Sequence, residues 1–168
     1  MKSKMKLKEE VEKLETTREF KEWRSKNKKD FLVSLFFISD KPNEIQIDYY
    51  NEEKGTITSF SVSEEKIRVI EGEEVLSSPE SKIKPLNLEN VVELQEALEK
   101  ATSFQRQEYE KEKPYKTIMI LQNTGVIIWN ITFITHTFKI LNIKLNALTK
   151  EIISHKIQPI FNFVSRDK

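Results

Sequence analysis

The runs IIWNITFI (127–134) and LNIKLNALTKEIISHKI (141–157) decide the fold of this chain. Apolar and polar residues alternate along both runs, and a period of two is typical of strands that bury one face. A turn-forming segment at 146–150 divides the second run, which predicts a hairpin. The C-terminal third therefore predicts an antiparallel sheet.

The rest of the chain repeats one pattern of elements. Leu7, Val11 and Leu14 form an apolar stripe that predicts a helix over 5–15, and Thr16 begins a capping-box pattern that predicts a second helical start. The other predicted elements of the first half are strands at 31–38, 44–50 and 56–62, with shorter ones at 66–70 and 83–88. Those of the second half are a helix over 93–111 and strands at 115–121, 126–134, 139–145 and 151–157.

These elements predict an α+β fold. The order helix–strand–strand–strand occurs twice, so we expect two helix-β-β-β units whose antiparallel sheets carry the helices on one face. Two such units either pack side by side or share one continuous sheet. The predicted division is an N-terminal helical segment at 1–29, a first meander with its connecting loop at 30–82, and a second helix plus meander at 83–168.

Composition excludes several classes of site. The chain has 168 residues with 28 basic and 27 acidic side chains, and this balance gives no overall attraction to nucleic acid. Because there is no cysteine, disulfides, thiol catalysis and Cys-ligated zinc are excluded. Three widely spaced glycines provide no phosphate-binding loop.

The N-terminal sequence MKSKMKLKEEVEKLE (1–15) is charged and has no apolar core of the kind a signal peptide needs. The longest apolar run, 31–38, is too short to cross a bilayer as a helix. We therefore expect a cytoplasmic, soluble protein with no membrane span.

Two segments of the second half resemble a PepSY-type domain. The first is LQEALEKA (94–101), in which Ala97 and Ala101 lie one helical turn apart. The second is the strand WNITFI (129–134) with the hairpin that follows it. The PepSY family is similar in having a helix with small residues packed on a sheet, and then a Trp-containing strand and a closing hairpin.

The closing turn of that family has the form D-A-x-T-G-x-[VI]. It reads NALTKEI here (146–152), with Asn146 in place of the acidic residue and Lys150 in place of the glycine. The resemblance implies a module that binds or inhibits peptidases, or an extracytoplasmic binding module. The whole chain also resembles small archaeal proteins built from two such halves.

Residues typical of catalysis have no catalytic spacing. His136 and His155 are the two histidines, and no HExxH pattern surrounds them, so we expect structural histidines at strand ends. The serines on predicted strands lack the sharp turn of an activated nucleophile. They are Ser34, Ser59, Ser61 and Ser154. We predict no catalytic residue, no metal site and no cofactor.

A binding surface is predicted on the sheet. Tyr49 and Tyr50 are adjacent on one strand, so one of them must face away from the core. The residues predicted to form a partner-binding face are Tyr50, Gln46, Thr132, Lys144 and Asn142. Free strand edges can also pair with an extended segment of a partner or with another copy of the chain.

We therefore expect a non-enzymatic module that binds a protein or peptide through a sheet face or edge. The alternative is a small hydrolase with a site between the two halves, built around His136 or His155. A third reading takes the lysine-rich N-terminal helix as a weak membrane or nucleic-acid anchor, although interleaved glutamates dilute its positive charge.

Overall fold

The computed structural model describes residues 5–64, 66–74 and 83–161. Within these ranges the chain forms three α-helices and eight β-strands. The helices are α1 (Leu7–Glu15), α2 (Arg18–Lys26) and α3 (Leu94–Glu108). The strands are β1 (Phe31–Ile38), β2 (Ile45–Asn51), β3 (Thr56–Val62), β4 (Ile67–Glu74), β5 (Pro114–Asn123), β6 (Ile127–Thr135), β7 (Lys139–Asn146) and β8 (Ile152–Pro159).

All eight strands belong to one antiparallel sheet with the order β4-β3-β2-β1-β5-β6-β7-β8. The prediction of two helix-β-β-β units is therefore wrong. The first half has two helices and four strands, and the second half has one helix and four strands. The halves merge because β1 pairs with β5, with Leu35 directly opposite Leu121, so the central strands of the sheet come from both halves.

Two short predicted strands account for the rest of this difference. The strand predicted at 66–70 continues to Glu74, because β4 stays paired with β3 across an irregular register. The strand predicted at 83–88 does not form. Its backbone is tied instead by hydrogen bonds from the Leu86 amide to the Leu32 carbonyl and from the Asn123 side-chain amide to the Pro85 carbonyl, both at 2.9 Å, and the Leu86 side chain enters the core.

The core lies on one face of the sheet. Leu35, Ile47, Leu121 and Trp129 are opposite one another on neighbouring strands, and none of them has exposed surface. They cluster with apolar residues of α1, α2 and α3, so all three helices pack against this same face. Alternate positions of the same strands point to the other face, which we call the open face.

Two short helices cover the first half of the sheet. Phe20 and Trp23 of α2 meet Tyr49 and Phe60 with ring centroids 5.1–5.8 Å apart. The Arg24 guanidinium lies 5.2–5.3 Å from three of these rings, an arrangement that adds cation–π attraction to the apolar burial. Burial is also the main cause of the raised pKa of the Tyr49 hydroxyl.

The second helix begins one residue later than the sequence predicts. Thr17 is its N-cap, and the Thr17 hydroxyl accepts a hydrogen bond from the Phe20 amide at 3.3 Å. Thr16 instead closes α1, because its hydroxyl donates to the Lys13 carbonyl at 2.7 Å. The two adjacent threonines thus end one helix and start the next.

One longer helix covers the second half. Ala97 and Ala101 of α3 have no exposed surface, and such small side chains allow close approach of a helix to a sheet. The indole Nε1 of Trp129 donates to the Val92 carbonyl at 2.8 Å, which fixes the segment that leads into α3. The Glu93 carboxylate accepts a hydrogen bond from the Leu7 amide at 2.9 Å and so joins the starts of α1 and α3.

The turn between β7 and β8 depends on Asn146. Its side-chain oxygen accepts hydrogen bonds from the amides of Leu148 and Thr149, at 2.8 and 3.1 Å. Lys150, which stands where the PepSY-type turn has glycine, adopts a φ of 68°. This left-handed conformation favours glycine, so the lysine carries backbone strain.

Candidate functional site

The open face carries an apolar band along its two central strands. Phe36 is opposite Ile120, and Ile38 is opposite Ile118. All four side chains are only half-buried, because no helix of the described chain packs on this face. A band of this kind, flanked by polar side chains, is typical of surfaces that bind other molecules.

All five residues of the predicted partner-binding face lie on the open face. Gln46 and Tyr50 are in β2, Thr132 is in β6, and Asn142 and Lys144 are in β7. They form two groups rather than one, because β1 and β5 separate β2 from β6. Three strand spacings of about 4.8 Å place the groups about 14 Å apart, on either side of the apolar band.

The group on β6 and β7 is a cluster of amides beside a cation. The Asn142 amide donates to Asn130 at 2.6 Å and to the Thr132 hydroxyl at 3.0 Å. Lys144 is opposite Asn130, and it makes no ion pair with any residue that the structure describes. The cluster therefore offers amide groups and one ammonium to a partner.

The group on β2 surrounds a buried carboxylate. Asp48 is only 7% exposed, and its oxygens accept hydrogen bonds from Ser34 at 2.7 Å, Ser59 at 2.6 Å and Gln46 at 3.0 Å. Tyr50 stands beside this network in an edge-to-face contact with Phe31, with ring centroids 5.6 Å apart. Sequence reasoning missed Asp48 because alternation marks a polar residue as solvent-facing, whereas neighbouring strands enclose this one.

A groove of about 940 Å³ lies on the helix side, at the β4 end of the sheet. Its apolar lining residues are Met5, Leu14, Ile45, Val62, Ile67 and Leu94. Three lysines and five glutamates line it as well, which gives the groove an excess of negative charge. Residues of α1, of the start of α3 and of the first position of β4 enclose the groove together, and no sequence pattern marks that arrangement.

Neither histidine borders this groove. The Tyr109 hydroxyl lies 2.6 Å from Nδ1 of His155, and the Phe104 ring is 4.8 Å from the imidazole. His136 is exposed and contacts Tyr115, with ring centroids 5.3 Å apart. In the described ranges no carboxylate hydrogen-bonds either imidazole, and no three metal-ligating side chains cluster. His155 thus joins α3 to β8.

Three of the four predicted serines are in structural networks as well, and Ser154 is exposed in β8. Ser34 and Ser59 donate to Asp48, and Ser61 donates to Glu44. The bond from Ser61 is the main cause of the lowered pKa of Glu44. No imidazole stands next to any of these three hydroxyls in the portion of the chain that is described, so they lack the base that activates a serine.

Comparison with known proteins defines a fold and no family. No protein-family model matches the chain, and no curated protein matches it. The chain is similar to the crystal structure of a "putative lipoprotein" from Clostridium difficile 630, with a TM-score of 0.54 and 13% identity. The likeness covers 83% of this chain and 90% of that one. Among residues 5–64, 66–74 and 83–161, no helix has the length and apolarity to cross a membrane.

Proposed function

We propose that this chain is a non-enzymatic, PepSY-like binding or regulatory module that holds a protein or peptide partner on its sheet. The observation that carries the proposal is a sheet face on which no described helix packs, and on which an apolar band lies between two polar groups. Specific interfaces combine an apolar centre with a polar rim in this way. The PepSY-like motifs of the second half support a binding role rather than a catalytic one.

The chemistry of the face suits recognition of a chain rather than of a small molecule. The apolar band runs along two neighbouring strands of a sheet face, whereas sites for small molecules are clefts or cavities. Lys144 supplies a cation on one side of the band, and Tyr50 supplies an aromatic ring on the other side. Aromatic residues are enriched at interfaces because they bury much area at small entropic cost.

The proposal is tested by quantitative affinity capture from an extract of the source organism. The Tyr50→Ala, Lys144→Ala double variant removes one group from each side of the band, and we expect capture of a specific partner to fall at least about tenfold. The matched control is Tyr115→Ala, Lys100→Ala, which changes the same residue types at exposed sites outside the open face.

Equal capture by the two double variants contradicts binding through the open face. Hydrolysis of an ester or peptide substrate that survives purification and is lost on His155→Ala contradicts the non-enzymatic part of the proposal. This substitution reports on catalysis only if the variant remains folded, which circular dichroism checks.

A further inference from the structure

The first four residues of β4, Ile67–Ile70, form a strand edge that has no neighbour among the described strands. These residues pair with Val62, Ser61, Phe60 and Ser59 of β3, and no described strand lies on their other side. Val69 is 37% exposed and Ile70 is 51% exposed. Unpaired backbone groups beside exposed apolar side chains are a template for pairing with another extended chain.

The remainder of β4 is protected against such pairing. Ser59 is opposite Ile70 and Ile57 is opposite Glu73, so β4 contains one more residue than β3 between these pairs. Gly72 lies in this bulge with a φ of 74°. A bulge and charged residues are devices that block edge pairing, and they confine the available edge to the four residues before Glu71.

The available edge borders the groove. Ile67 belongs to the edge and also lines the groove, and Val62, which is directly opposite Ile67 on β3, lines the groove as well. A strand added beside β4 would continue this row, so its side chains on the helix side would enter the groove. Recognition through an added strand uses backbone pairing for affinity and such pockets for side-chain specificity.

Charge near this edge is negative. The groove has five glutamates against three lysines, and Glu71, Glu73 and Glu74 follow along β4. Arg68, the cation of β4, lies 3.6 Å from the Glu44 carboxylate. An extended segment with lysine or arginine therefore complements this edge better than an acidic one does.

We propose that Ile67–Ile70 and the adjoining groove bind an extended basic segment of a partner protein, which adds a ninth strand to the sheet and inserts apolar side chains into the groove. The inference rests on the proposed function and names a partner chemistry and a second docking position for it. It differs from the open-face site, which lies across β2, β6 and β7.

The test measures binding of the fluorescent peptide Ac-KVKVKVK-NH2, with Ac-EVEVEVE-NH2 as its charge-reversed control. We expect saturable binding of the lysine peptide, weakening at high salt, and at least about fivefold weaker binding of the glutamate peptide. Ile70→Lys adds a like charge to the edge, and we expect it to weaken binding of the lysine peptide at least about fivefold.

The matched control is Ile153→Lys, which changes the same residue type at the same 51% exposure in β8. We expect this variant to bind like the wild type. Equal loss in both variants, or equal binding of both peptides, overturns the inference. Self-association in sedimentation that both variants abolish also overturns it, because a second copy would then join β4 to β8. If the wild type binds no lysine peptide but still captures its partner through the open face, this inference is wrong and the proposed function still holds.

Discussion

The two outer strands of the sheet differ in how the helices support them. On the C-terminal side, α3 reaches β8 through Tyr109 and Phe104, which both contact His155. On the N-terminal side, no hydrogen bond, ion pair or ring contact joins β4 to a helix in the described chain. The ring contacts of α2 with the sheet reach Phe60 in β3, and among the described residues of β4 only Ile67 packs against the core cluster.

This difference teaches where a sheet of this kind is available to a partner. A helix that contacts an edge strand holds it in place and limits approach from that side. An edge beyond the helices keeps its backbone groups available and leaves a groove beside it. The same eight strands therefore have one supported edge and one accessible edge.

The largest expected change in stability comes from removing a core tryptophan, and it differs between the two halves. Trp129→Ala removes a side chain with no exposed surface together with its hydrogen bond to Val92, and we expect a loss of about 4 kcal/mol in the free energy of unfolding. Trp23→Ala removes a ring at the helix layer, and we expect about 3 kcal/mol. Chemical denaturation measures both. A larger loss for Trp23→Ala would reverse our ranking of the halves.

A second prediction concerns Glu112, which lies just before β5. Glu112 accepts hydrogen bonds from Lys139 at 2.8 Å and from Thr137, and these lower its pKa, with Lys139 as the main cause. A lowered folded-state pKa contributes stability above the unfolded value of 4.5, and this stability is lost as pH falls through the folded value. We expect Glu112→Gln to cost about 1–2 kcal/mol at pH 7.

The pH dependence provides the control for this prediction. The difference in unfolding free energy between Glu112→Gln and the wild type should shrink as pH falls from about 4.5 through the lower folded-state pKa of Glu112, since the wild-type carboxylate is then protonated first in the unfolded and then in the folded state. The exposed pair Arg18–Glu22 offers a matched comparison, and Glu22→Gln should change stability by less than about 0.5 kcal/mol. A pH-independent cost of Glu112→Gln would contradict this account.

A third prediction concerns the contact between Tyr109 and His155, which joins the end of α3 to β8. Tyr109→Phe deletes the hydroxyl that lies 2.6 Å from His155, and we expect a cost of about 1 kcal/mol and faster amide hydrogen exchange in β8. Exchange in β4 should stay unchanged, because no described residue of β4 makes a hydrogen bond or ring contact with Tyr109 or His155. Tyr115→Phe, at an exposed tyrosine, should leave both strands unchanged. Equal acceleration in β4 and β8 would argue that the edges are not held separately.

The smallest expected effect is a stabilisation. Lys150→Gly relieves a positive φ at the start of the β8 hairpin arm, and we expect the unfolding free energy to rise by about 0.5–1 kcal/mol. Gly55→Ala, in the β2–β3 turn with a φ of 63°, imposes the same strain and should lower it by about 1 kcal/mol. A lower unfolding free energy for Lys150→Gly would contradict this prediction. It would mean that the half-exposed ion pair between Lys150 and Glu96 stabilises the fold more than the positive φ destabilises it.

The strands and helix faces were predictable from local periodicity. The bounds of β1 and β3 agree with prediction, and Ala97 and Ala101 are buried, as the resemblance to a helix with small residues packed on a sheet implied. The placement of Tyr50 and Lys144 on the open face followed from alternation alone. Whether that face binds a partner stays a prediction.

The pairing of the halves and the groove were not predictable. Contact of β1 with β5 joins residues 80–88 positions apart, and a period of two says which face a strand buries but not which strand lies beside it. The burial of Asp48 likewise depends on Ser34 and Ser59 from neighbouring strands. The groove between α1, α3 and the start of β4 depends on how the helices pack, which the stripe of Leu7 and Val11 does not set.

The central claim is that the accessible edge, and not the supported one, receives an extended partner. Amide hydrogen exchange measured by NMR, with and without Ac-KVKVKVK-NH2, tests it most directly. We predict slower exchange at Ile67–Ile70 on peptide addition and no change in β8. Slower exchange in β8, or no change in either strand at saturating peptide, would contradict the account.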